Sequence, residues 1–384
     1  MPPATPPLLR DLNERTVLET IRDRAPISRA EISRRVGISK PTVSVALAAL
    51  LEAGLVREAD NDAEGPKYGA TFFEPVPEAA LVLGLDLGAR FLRGAVCDLR
   101  GNVRARQDVE LPGADVRVVL DAAAELRSRL LAAGDLPAGA LDGAVAGVPG
   151  VIEEPSGEVG LAGNIPGLEG LRIGPALQDR LGVPVTVEND ISLAAVGEQW
   201  RGIAQGVDDF AFLSVGTGLG CGLVLSGELH RGRNGAAGEV DYVAAGLDDD
   251  IDPCAAAVAE LAAELSRDAA TTLAPPFDVR EIFAAARAGD EAAVRIVAEE
   301  ARRIALHVVP IAAVADVALV VMGGGLSANG DLLLEPVRRL LAGWLPYPPR
   351  LEVSSLGDAA VLTGALSVGV RHALDNVFVN RARR

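Results

Sequence analysis

The feature that most restricts the fold of this chain is a run of helix-capping signals near its N-terminus. Ser28 precedes Glu31 by three residues, the pattern of a capping box at a helix start. Gly37 is suited to end that helix, and Ser39 is suited to cap a second helix that stops before Gly54. A short helix, a tight turn and a longer helix form a helix-turn-helix unit.

The flanking sequence completes this unit as a winged helix. Apolar residues at helical spacing from Leu12 predict a preceding helix. Strands are predicted at 55–58 and 70–73, around a polar turn at 61–69 that forms a wing. The second helix of such a module enters the major groove of DNA. We therefore predict DNA contacts from small or basic residues, namely Ser39, Lys40, Thr42, Ser44 and Lys67. A three-helix scaffold with another role is the alternative.

Charge is distributed unevenly along the chain. The net charge is −17, yet residues 8–57 carry 9 basic and 6 acidic side chains. The rest carries 27 basic and 47 acidic side chains. A small basic module on a large acidic body is typical of a DNA-binding domain joined to a part that does not bind DNA. A locally basic, solvated helix would give the same balance.

Composition excludes several classes of protein. No run of 18 apolar residues occurs, so we predict no membrane span. The proline-rich start lacks the features of a secretory signal, which predicts a cytoplasmic location. The cysteines, Cys97, Cys221 and Cys254, are scattered and odd in number, so neither a disulfide framework nor metal-ligand spacing is expected.

Beyond the wing the pattern becomes that of an α/β fold. A strand at 80–85, a turn at 86–88 and a strand at 91–98 predict a hairpin. A second hairpin begins at 210, with a glycine-rich turn at 216–222, and the two look like a weak internal duplication. That turn leads into a strand and lacks a Gly-Lys-Ser/Thr ending, so it is neither a dinucleotide fingerprint nor a P-loop. It is either a phosphate-binding turn or a purely structural hairpin.

Polar residues follow a strand predicted at 183–187. Ligands of open α/β sheets bind at the carboxyl ends of strands. Asp190 is thus placed as a general base for a hydroxyl group, or alternatively as the N-cap of the next helix. Carboxylates and amides that pair with vicinal hydroxyls suit a carbohydrate, and the predicted sugar-binding residues on this basis are Asn164, Asn189, Asp190 and Glu239.

Several of these motifs in order resemble the ROK family of repressors, open reading frames and sugar kinases. They are Asp86-Leu-Gly88, Gly147-Val-Pro-Gly150, Gly163-Asn164, Glu188-Asn-Asp190, Gly216-Thr-Gly-Leu-Gly220, Gly235-Ala-Ala-Gly-Glu239 and Gly323-Gly-Gly325. The resemblance implies an actin-like (ribonuclease H-like) two-lobed fold with a sugar cleft. It also implies a homodimer or homotetramer whose affinity for a double-stranded operator responds to a sugar or sugar phosphate.

The residue pattern predicts the winged helix and the linker that follows it, and the resemblance implies the two lobes. A winged helix-turn-helix at 1–74 is followed by a linker at 75–79. The first lobe comprises 80–199 with 359–384, and the second lobe comprises 200–358. Remnants of the family's phosphate loops are expected at Asp86, Gly88, Gly216, Thr217, Gly218, Gly220, Gly323 and Gly324.

Departures from the family pattern limit what the second part can do. Family kinases carry a motif that resembles Asp-x-Gly-Gly-Thr at the first phosphate loop. In this sequence Ala89 and Arg90 take its last two places, which argues against ATP binding. Asp241 and Tyr242 replace a family Gly-His pair, and Cys254 alone stands for a zinc-binding cysteine cluster. Structural zinc needs about four ligands. We therefore predict no metal and no cofactor, and assign Tyr242 to the sugar in place of histidine.

The main hypothesis is a DNA-binding regulator, a repressor of carbohydrate-metabolism genes, controlled by a sugar in a kinase-like cleft and without enzymatic activity. One alternative is an ATP-dependent sugar kinase with an accessory DNA-binding domain, in which Asp190 is the catalytic base. Another is a constitutive regulator whose second part serves only for dimerisation.

Overall fold

The structure is a computed structural model that describes residues 6–59, 71–244, 251–267 and 269–381. It is a mixed α/β protein with a small three-stranded sheet near the N-terminus and two larger five-stranded sheets. Within these ranges no helix is both long and apolar enough to cross a membrane.

The N-terminal part is a winged helix-turn-helix. Its helices are α1 (Pro6–Arg24), α2 (Arg29–Val36) and α3 (Lys40–Glu52), and its strands are β1 (Ile27–Ser28), β2 (Val56–Glu58) and β3 (Phe72–Pro75). The predicted caps are confirmed, since Ser28 accepts the Glu31 N–H and Ser39 accepts the Thr42 N–H. Gly37 adopts φ 68°, the left-handed conformation that glycine favours. The predicted wing tip with Lys67 lies outside the described residues.

The first large sheet begins directly after the wing. Its strands are β4 (Leu81–Leu87), β5 (Phe91–Asp98), β6 (Val103–Glu110), β7 (Gly143–Val148) and β10 (Val185–Asn189), in the order β10-β7-β4-β5-β6. A short separate hairpin joins β8 (Val151–Ile152) to β9 (Val159–Gly160). Every residue of β4 is buried, because helices cover both faces of this sheet.

The second large sheet repeats this topology. Its strands are β11 (Phe210–Val215), β12 (Leu219–Leu225), β13 (Glu228–His230), β14 (Leu319–Gly323) and β15 (Arg350–Val353), in the order β13-β12-β11-β14-β15. In each sheet the first three strands are antiparallel neighbours and the last two are added in parallel on the other side of the first. The duplication predicted from the two hairpins therefore extends over both sheets.

The remaining helices cover the sheets. They are α4 (Val116–Ala133), α5 (Ile173–Leu181), α6 (Asp190–Arg201), α7 (Ala255–Leu265), α8 (Val279–Arg287), α9 (Glu291–Ala315), α10 (Gly330–Trp344) and α11 (Ala360–Arg381). Helices α4 and α5 pack on the first sheet, and α7 to α10 pack on the second. Helices α6 and α11 form a layer between the sheets, with α6 against β12 and α11 against β4.

The two middle helices approach each other very closely. A methyl group on Gly364 of α11 would lie 1.8 Å from the Leu193 carbonyl oxygen of α6, and one on Gly197 would lie 2.2 Å from that of Ala360. Only glycine leaves room for such backbone contact. The two helices therefore cannot move closer to each other. A shift of α6 toward α11 must either slide along α11 or carry α11 with it.

The winged helix shares a hydrophobic core with the first lobe. Buried residues of the module, including Val17, Ile21 and Leu50, belong to one cluster with residues of the sheet and of α11, namely Val82, Ala95, Cys97, Leu99, Leu362, Leu366, Val370, Ala373 and Leu374. The pattern at 75–79 predicted a linker, yet Pro75 ends β3 and Pro77–Ala79 form a 3-10 turn. The module is packed on the body rather than tethered to it.

Several residues that the sequence places in turns or just after strands lie in strands instead. Asp86 belongs to β4, Gly220 and Gly222 to β12, Gly323 to β14, and Glu188 and Asn189 to β10. Glycine and short polar residues were read as turn signals, but strand pairing continues through them. The unpredicted strand β1 pairs with β3 through Ile27 and Phe73.

Candidate functional site

The candidate site begins where β10 passes into α6. Asn189 caps this helix, because its Oδ1 accepts the Ser192 N–H at 2.8 Å and its Nδ2 donates to the Gly150 carbonyl at 3.0 Å. Asp190 is the first residue of the helix, so the alternative reading of Asp190 as the N-cap is wrong. Both ends of the Asn189 amide are used within the protein, which makes this residue a support for Asp190.

Three carboxylates gather at this point. The pKa of Asp190 is raised to about 7, chiefly by burial and also by the neighbouring Asp86 and Glu239, while hydrogen bonds from backbone N–H groups oppose the rise. Burial raises the pKa of Asp86 to about 6, although Arg93 opposes that rise. Burial also raises the pKa of Glu239. Near neutral pH, Asp190 therefore exchanges between an acceptor and a donor state, either of which can pair with a hydroxyl group.

A glycine-containing loop of the second lobe delivers Glu239. Gly235 adopts φ 80°, and a methyl group there would lie 2.3 Å from the Ile152 carbonyl oxygen of the first lobe. Gly238 adopts φ 98°, and a methyl group there would lie 1.9 Å from the Cys221 carbonyl oxygen. These glycines let the loop pass closely between β8 and β12 so that Glu239 reaches the other carboxylates.

The other two predicted sugar-binding residues, Asn164 and Tyr242, are exposed. Asn164 is exposed in a loop that follows Ala162, whose side chain packs near Gly150. Tyr242 lies in the 3-10 turn Val240–Ala244 and exposes 59% of its surface. The structure thus brings Asp190 and Glu239 together, whereas Asn164 and Tyr242 remain predicted contacts with the sugar.

The two later glycine turns lie against each other. Strands β11 and β14 are parallel neighbours, and a methyl group on Gly216 would lie 3.2 Å from the Gly325 nitrogen. Thr217 and Gly218 are exposed at this point, and Gly324 adopts φ 77°. The two turns therefore form one continuous surface, and phosphate binding at this surface stays a prediction.

Two glycines predicted as phosphate contacts also have steric roles. A methyl group on Gly220 would meet Ile191 of α6 at 3.0 Å, and one on Gly323 would meet the Phe212 ring at 2.1 Å. Gly220 therefore allows α6 to lie on β12, and Gly323 makes room for an aromatic ring in the core. Sequence alone cannot separate such glycines from those of a binding turn, because both uses depend on close approach.

The first predicted phosphate loop is organised by an arginine that the sequence analysis missed. Arg93 Nη1 donates to Asp86 Oδ2 at 3.1 Å. Arg90, the cation expected there, instead pairs with Glu110 at 3.0 Å and is largely exposed, while Gly88 turns the hairpin. The signal was available, since a tight hairpin between β4 and β5 places Asp86 opposite Arg93.

An ion pair between the lobes was also missed. Arg231 follows β13 in the second lobe, and its Nη2 lies 2.6 Å from Glu188 Oε2 in the first lobe. Glu188 is buried and adjoins Asn189, so this contact lies at the edge of the carboxylate cluster. A residue pair separated by 43 positions carries no recognisable spacing in the sequence.

The predicted DNA-binding surface is largely organised by hydrogen bonds within the module. Ser39 and Thr42 share a hydroxyl contact of 2.8 Å. Ser44 donates to the Lys40 carbonyl at 2.9 Å and accepts from Arg29 Nη1 at the same distance. Lys40 is exposed. Arg29, on α2, is an additional cation beside the start of α3 that the sequence analysis did not select.

Cys254 caps a helix. Its N–H donates to Asp252 Oδ1 at 2.8 Å, and burial raises the pKa of its thiol. Within the described ranges, no group of three or more histidine, cysteine or acidic side chains is placed to hold a metal ion.

Known proteins share both halves of this architecture. Residues 82–371 match the ROK family, and residues 10–57 match a winged helix-turn-helix DNA-binding domain. The chain belongs to the ROK family. A xylose repressor of Caldicellulosiruptor bescii is 27% identical and spans 96% of this chain and 97% of its own length.

Solved ROK structures support the same fold. A ROK family transcriptional regulator described as a homologue of the E. coli Mlc protein has a TM-score of 0.81 at 21% identity, over 97% of this chain and 98% of its own. A ROK glucokinase of Streptomyces griseus, solved with glucose and AMPPNP, has a TM-score of 0.63 at 26% identity, over 75% of this chain and 99% of its own. The kinase therefore matches a smaller part of this ROK chain than the regulator does.

Proposed function

We propose that this protein is a sugar-responsive transcriptional repressor. The observation that carries the proposal is the single hydrophobic core in which the winged helix, the first lobe and α11 meet. A rearrangement of the cleft that moved α11 would thereby reorient the DNA-binding module. The xylose repressor that resembles this chain over nearly its full length supports the same conclusion.

A continuous set of contacts joins the proposed sugar site to the DNA-binding module. Asp190 begins α6, and α6 rests on α11 through the close contacts at Gly197 and Gly364. The far end of α11 then forms an ion pair between Asp375 and Arg15 of α1. Such a path supplies a physical means for effector and operator to influence each other's binding.

The effector we propose is a neutral sugar, with D-xylose as the first candidate. Asp190 and Glu239 would bind its hydroxyls, Asn164 and Tyr242 would contact it at the rim, and Asn189 would hold Asp190 in place. The neighbouring carboxylates Asp86 and Glu239 both raise the pKa of Asp190, so the base of the site is acidic. An acidic base disfavours a phosphate group there, which argues for a sugar rather than a sugar phosphate.

We propose a dimer as the form that binds DNA, because helix-turn-helix modules usually read two half-sites. The contacts with DNA would come from Ser39, Lys40, Thr42, Ser44 and Lys67, with Arg29 beside them. The boundaries 1–74, 80–199 with 359–384, and 200–358 remain our proposed division of the chain, with 75–79 as a packed connection between the first two. Light scattering with and without an operator duplex would determine the assembly.

The test of the main proposal is operator affinity as a function of sugar. A duplex selected by the wild-type protein would be titrated in fluorescence anisotropy with D-xylose, D-glucose and D-glucose 6-phosphate. We expect a neutral sugar to weaken operator binding roughly 5- to 150-fold, the range of typical coupling. Asp190→Asn should keep operator binding and lose that response. Operator binding that ignores every sugar would contradict the proposal.

A second candidate function, sugar phosphorylation, is favoured by one observation. Asp190 stands beside Asp86 with a raised pKa, and the turns at 216–218 and 323–325 adjoin each other. A general base near neutral pKa and a glycine-lined surface are what a kinase needs. A coupled assay of ADP release over common aldoses decides it. Turnover that Asp190→Asn abolishes would establish a kinase.

A further inference from the structure

The chain passes between the two lobes at two places. The first crossing runs from α6 to β11 through 202–209, and the second runs from β15 to α11 through 354–359. Any change in the angle between the lobes must be absorbed in these segments, because the sheets and helices on either side are rigid elements. Glu198, near the C-terminal end of α6, contacts both crossings.

The carboxylate of Glu198 is fully buried and accepts from both crossings. In the first, the Ile203 N–H donates to Oε2 at 2.8 Å. In the second, the Leu356 N–H donates to Oε1 at 3.2 Å, the Ser355 hydroxyl donates to Oε2 at 3.3 Å, and the Ser354 hydroxyl donates to Oε1. Four donors on two oxygens match the acceptor capacity of an ionised carboxylate.

The surroundings are shaped around this group. A methyl group on Gly202 would lie 1.9 Å from Glu198 Oε2, so the first crossing can approach the carboxylate only with glycine there. Ser354 also accepts the Gly357 N–H at 2.9 Å, which extends the network to the turn before α11. The carboxylate thus holds three parts of the chain together: the end of α6, the first crossing that leads to β11, and the second crossing that leads to α11.

We propose that Glu198 is a positioning residue that sets the pivot about which the lobes move when the effector binds. The proposal rests on the proposed effector response. Asp190 and Glu198 are eight positions apart on α6, about 12 Å along a helix. One end of α6 therefore contacts the sugar and the other end holds both crossings. Effector contact at Asp190 is converted into rotation only if the far end of α6 stays anchored.

Glu198→Gln tests this anchor with almost no change in volume. The two backbone N–H donors point at different carboxylate oxygens, so either orientation of the amide places its NH2 against one of them. We expect operator and D-xylose affinities to stay within about threefold of wild type, while the change in operator affinity caused by D-xylose falls below about fivefold, out of the typical coupling range.

Glu300→Gln is the control for exchange of a buried glutamate as such. Glu300 is equally buried, on α9 in the second lobe, but its carboxyl oxygens accept no hydrogen bond from the described residues, and burial raises its pKa to about 9. An effect of placing an amide at a buried glutamate position would appear in both variants, whereas loss of the sugar response should be confined to Glu198→Gln, which alone disturbs the hydrogen bonds to both crossings. An equal loss in both variants would overturn the positioning role.

A measurement without sugar separates this inference from the proposed function. Spin labels at Ser128→Cys on α4 and Glu281→Cys on α8, both exposed, would report the distance between the lobes by pulsed EPR. We expect Glu198→Gln to widen the distance distribution about twofold and Glu300→Gln to leave it unchanged. If no sugar affects the wild type, the proposed function fails, and the widths still decide whether Glu198 holds the lobes.

Two further outcomes are decisive. A well-folded Glu198→Gln protein with wild-type sugar response and wild-type distance distribution would overturn the proposal. If that variant does not fold, Ser355→Ala removes one donor and leaves the carboxylate in place. We then expect a partial widening and a partial loss of response, and an unchanged Ser355→Ala protein on both readouts would reject the pivot.

Discussion

At the scale of single residues, the base of the cleft concentrates negative charge in a place with little water. Asp86 adds to the effect of burial on the pKa of Asp190, while burial raises the pKa of Asp86 itself and Arg93 offsets part of that rise. The protein keeps ionisable groups where aliphatic ones would be more stable, which is typical of a binding site. A hydroxyl-rich ligand can satisfy such groups in either protonation state.

The raised pKa of Asp190 predicts a pH-dependent stability. A carboxyl whose pKa rises from 3.8 to about 7 on folding binds more protons in the folded state between those values. The free energy of unfolding therefore falls as pH rises through this window, and Asp190 costs most above pH ~7. We expect Asp190→Asn to stabilise the protein by about 1–3 kcal/mol at pH 8 and little near pH 4.

Thermal unfolding at several pH values checks this prediction. Asp179→Asn, at an exposed position on α5, is the matched control and should change stability little at any pH. Stabilisation by Asp190→Asn that is independent of pH would mean that its carboxyl is not held in a charge-disfavouring environment.

At the scale of secondary-structure elements, the packing of α6 against α11 leaves no room for a side chain at Gly364. Gly364→Ala would place a methyl group 1.8 Å from the Leu193 carbonyl oxygen, so the helices must separate. We expect a loss of about 1–3 kcal/mol in the free energy of unfolding, as in overpacked cores, together with a weaker sugar response. Chemical denaturation and operator titration measure the two effects.

Gly343→Ala provides the contrast on another helix. Gly343 lies in α10 with open space around its missing side chain. Alanine there should add up to about 1 kcal/mol of stability through helix propensity. If both substitutions had the same effect, the crossing of α6 and α11 would not be sterically limited.

A second element-scale contact holds α1 to the body. Arg22 Nε donates to the Leu99 carbonyl at 2.7 Å, and burial lowers the pKa of Arg22. We expect Arg22→Met to keep the apolar packing of the side chain, to lose about 1–3 kcal/mol from the unpaired carbonyl, and to reduce the sugar response. Arg24→Met, at an exposed position two residues on, is the control. Equal operator titrations for both variants would contradict the expected coupling role of Arg22.

At the scale of the whole molecule, the winged helix and the ROK body form one packed unit. Leu362, Leu366 and Val370 of α11 lie in the same cluster as the module's own core. Each leucine that is fully buried contributes about 1.5–3 kcal/mol. The DNA-binding module therefore draws part of its stability from the body, and a change in α11 is also a change in the module's support.

A fragment ending at Ala79 should consequently be less stable than the same residues within the full chain. We expect it to melt at a lower temperature and to exchange its amide hydrogens faster in α1 and α3. Circular dichroism and hydrogen exchange on the fragment and the whole protein provide the comparison. A fragment that melts at the temperature of the intact protein would show that the shared core does not stabilise the module.

Much of the fold was readable from local signals. The caps at Ser28 and Ser39, the left-handed Gly37 and the buried run of β4 specify their elements because the controlling interactions lie within a few residues. The order of motifs was enough to identify the family and to expect two related lobes. Charge asymmetry indicated which end contacts DNA.

Only the tertiary structure decided how these parts act on one another. The pairing of Asp86 with Arg93, the ion pair of Arg231 with Glu188, and the anchoring of both crossings by Glu198 join residues that are separated in sequence. Local sequence periodicity cannot predict contacts between residues so far apart along the chain, because these contacts depend on strand register and on packing between the lobes. The winged helix could therefore be predicted as a module, but its shared core with the body could not.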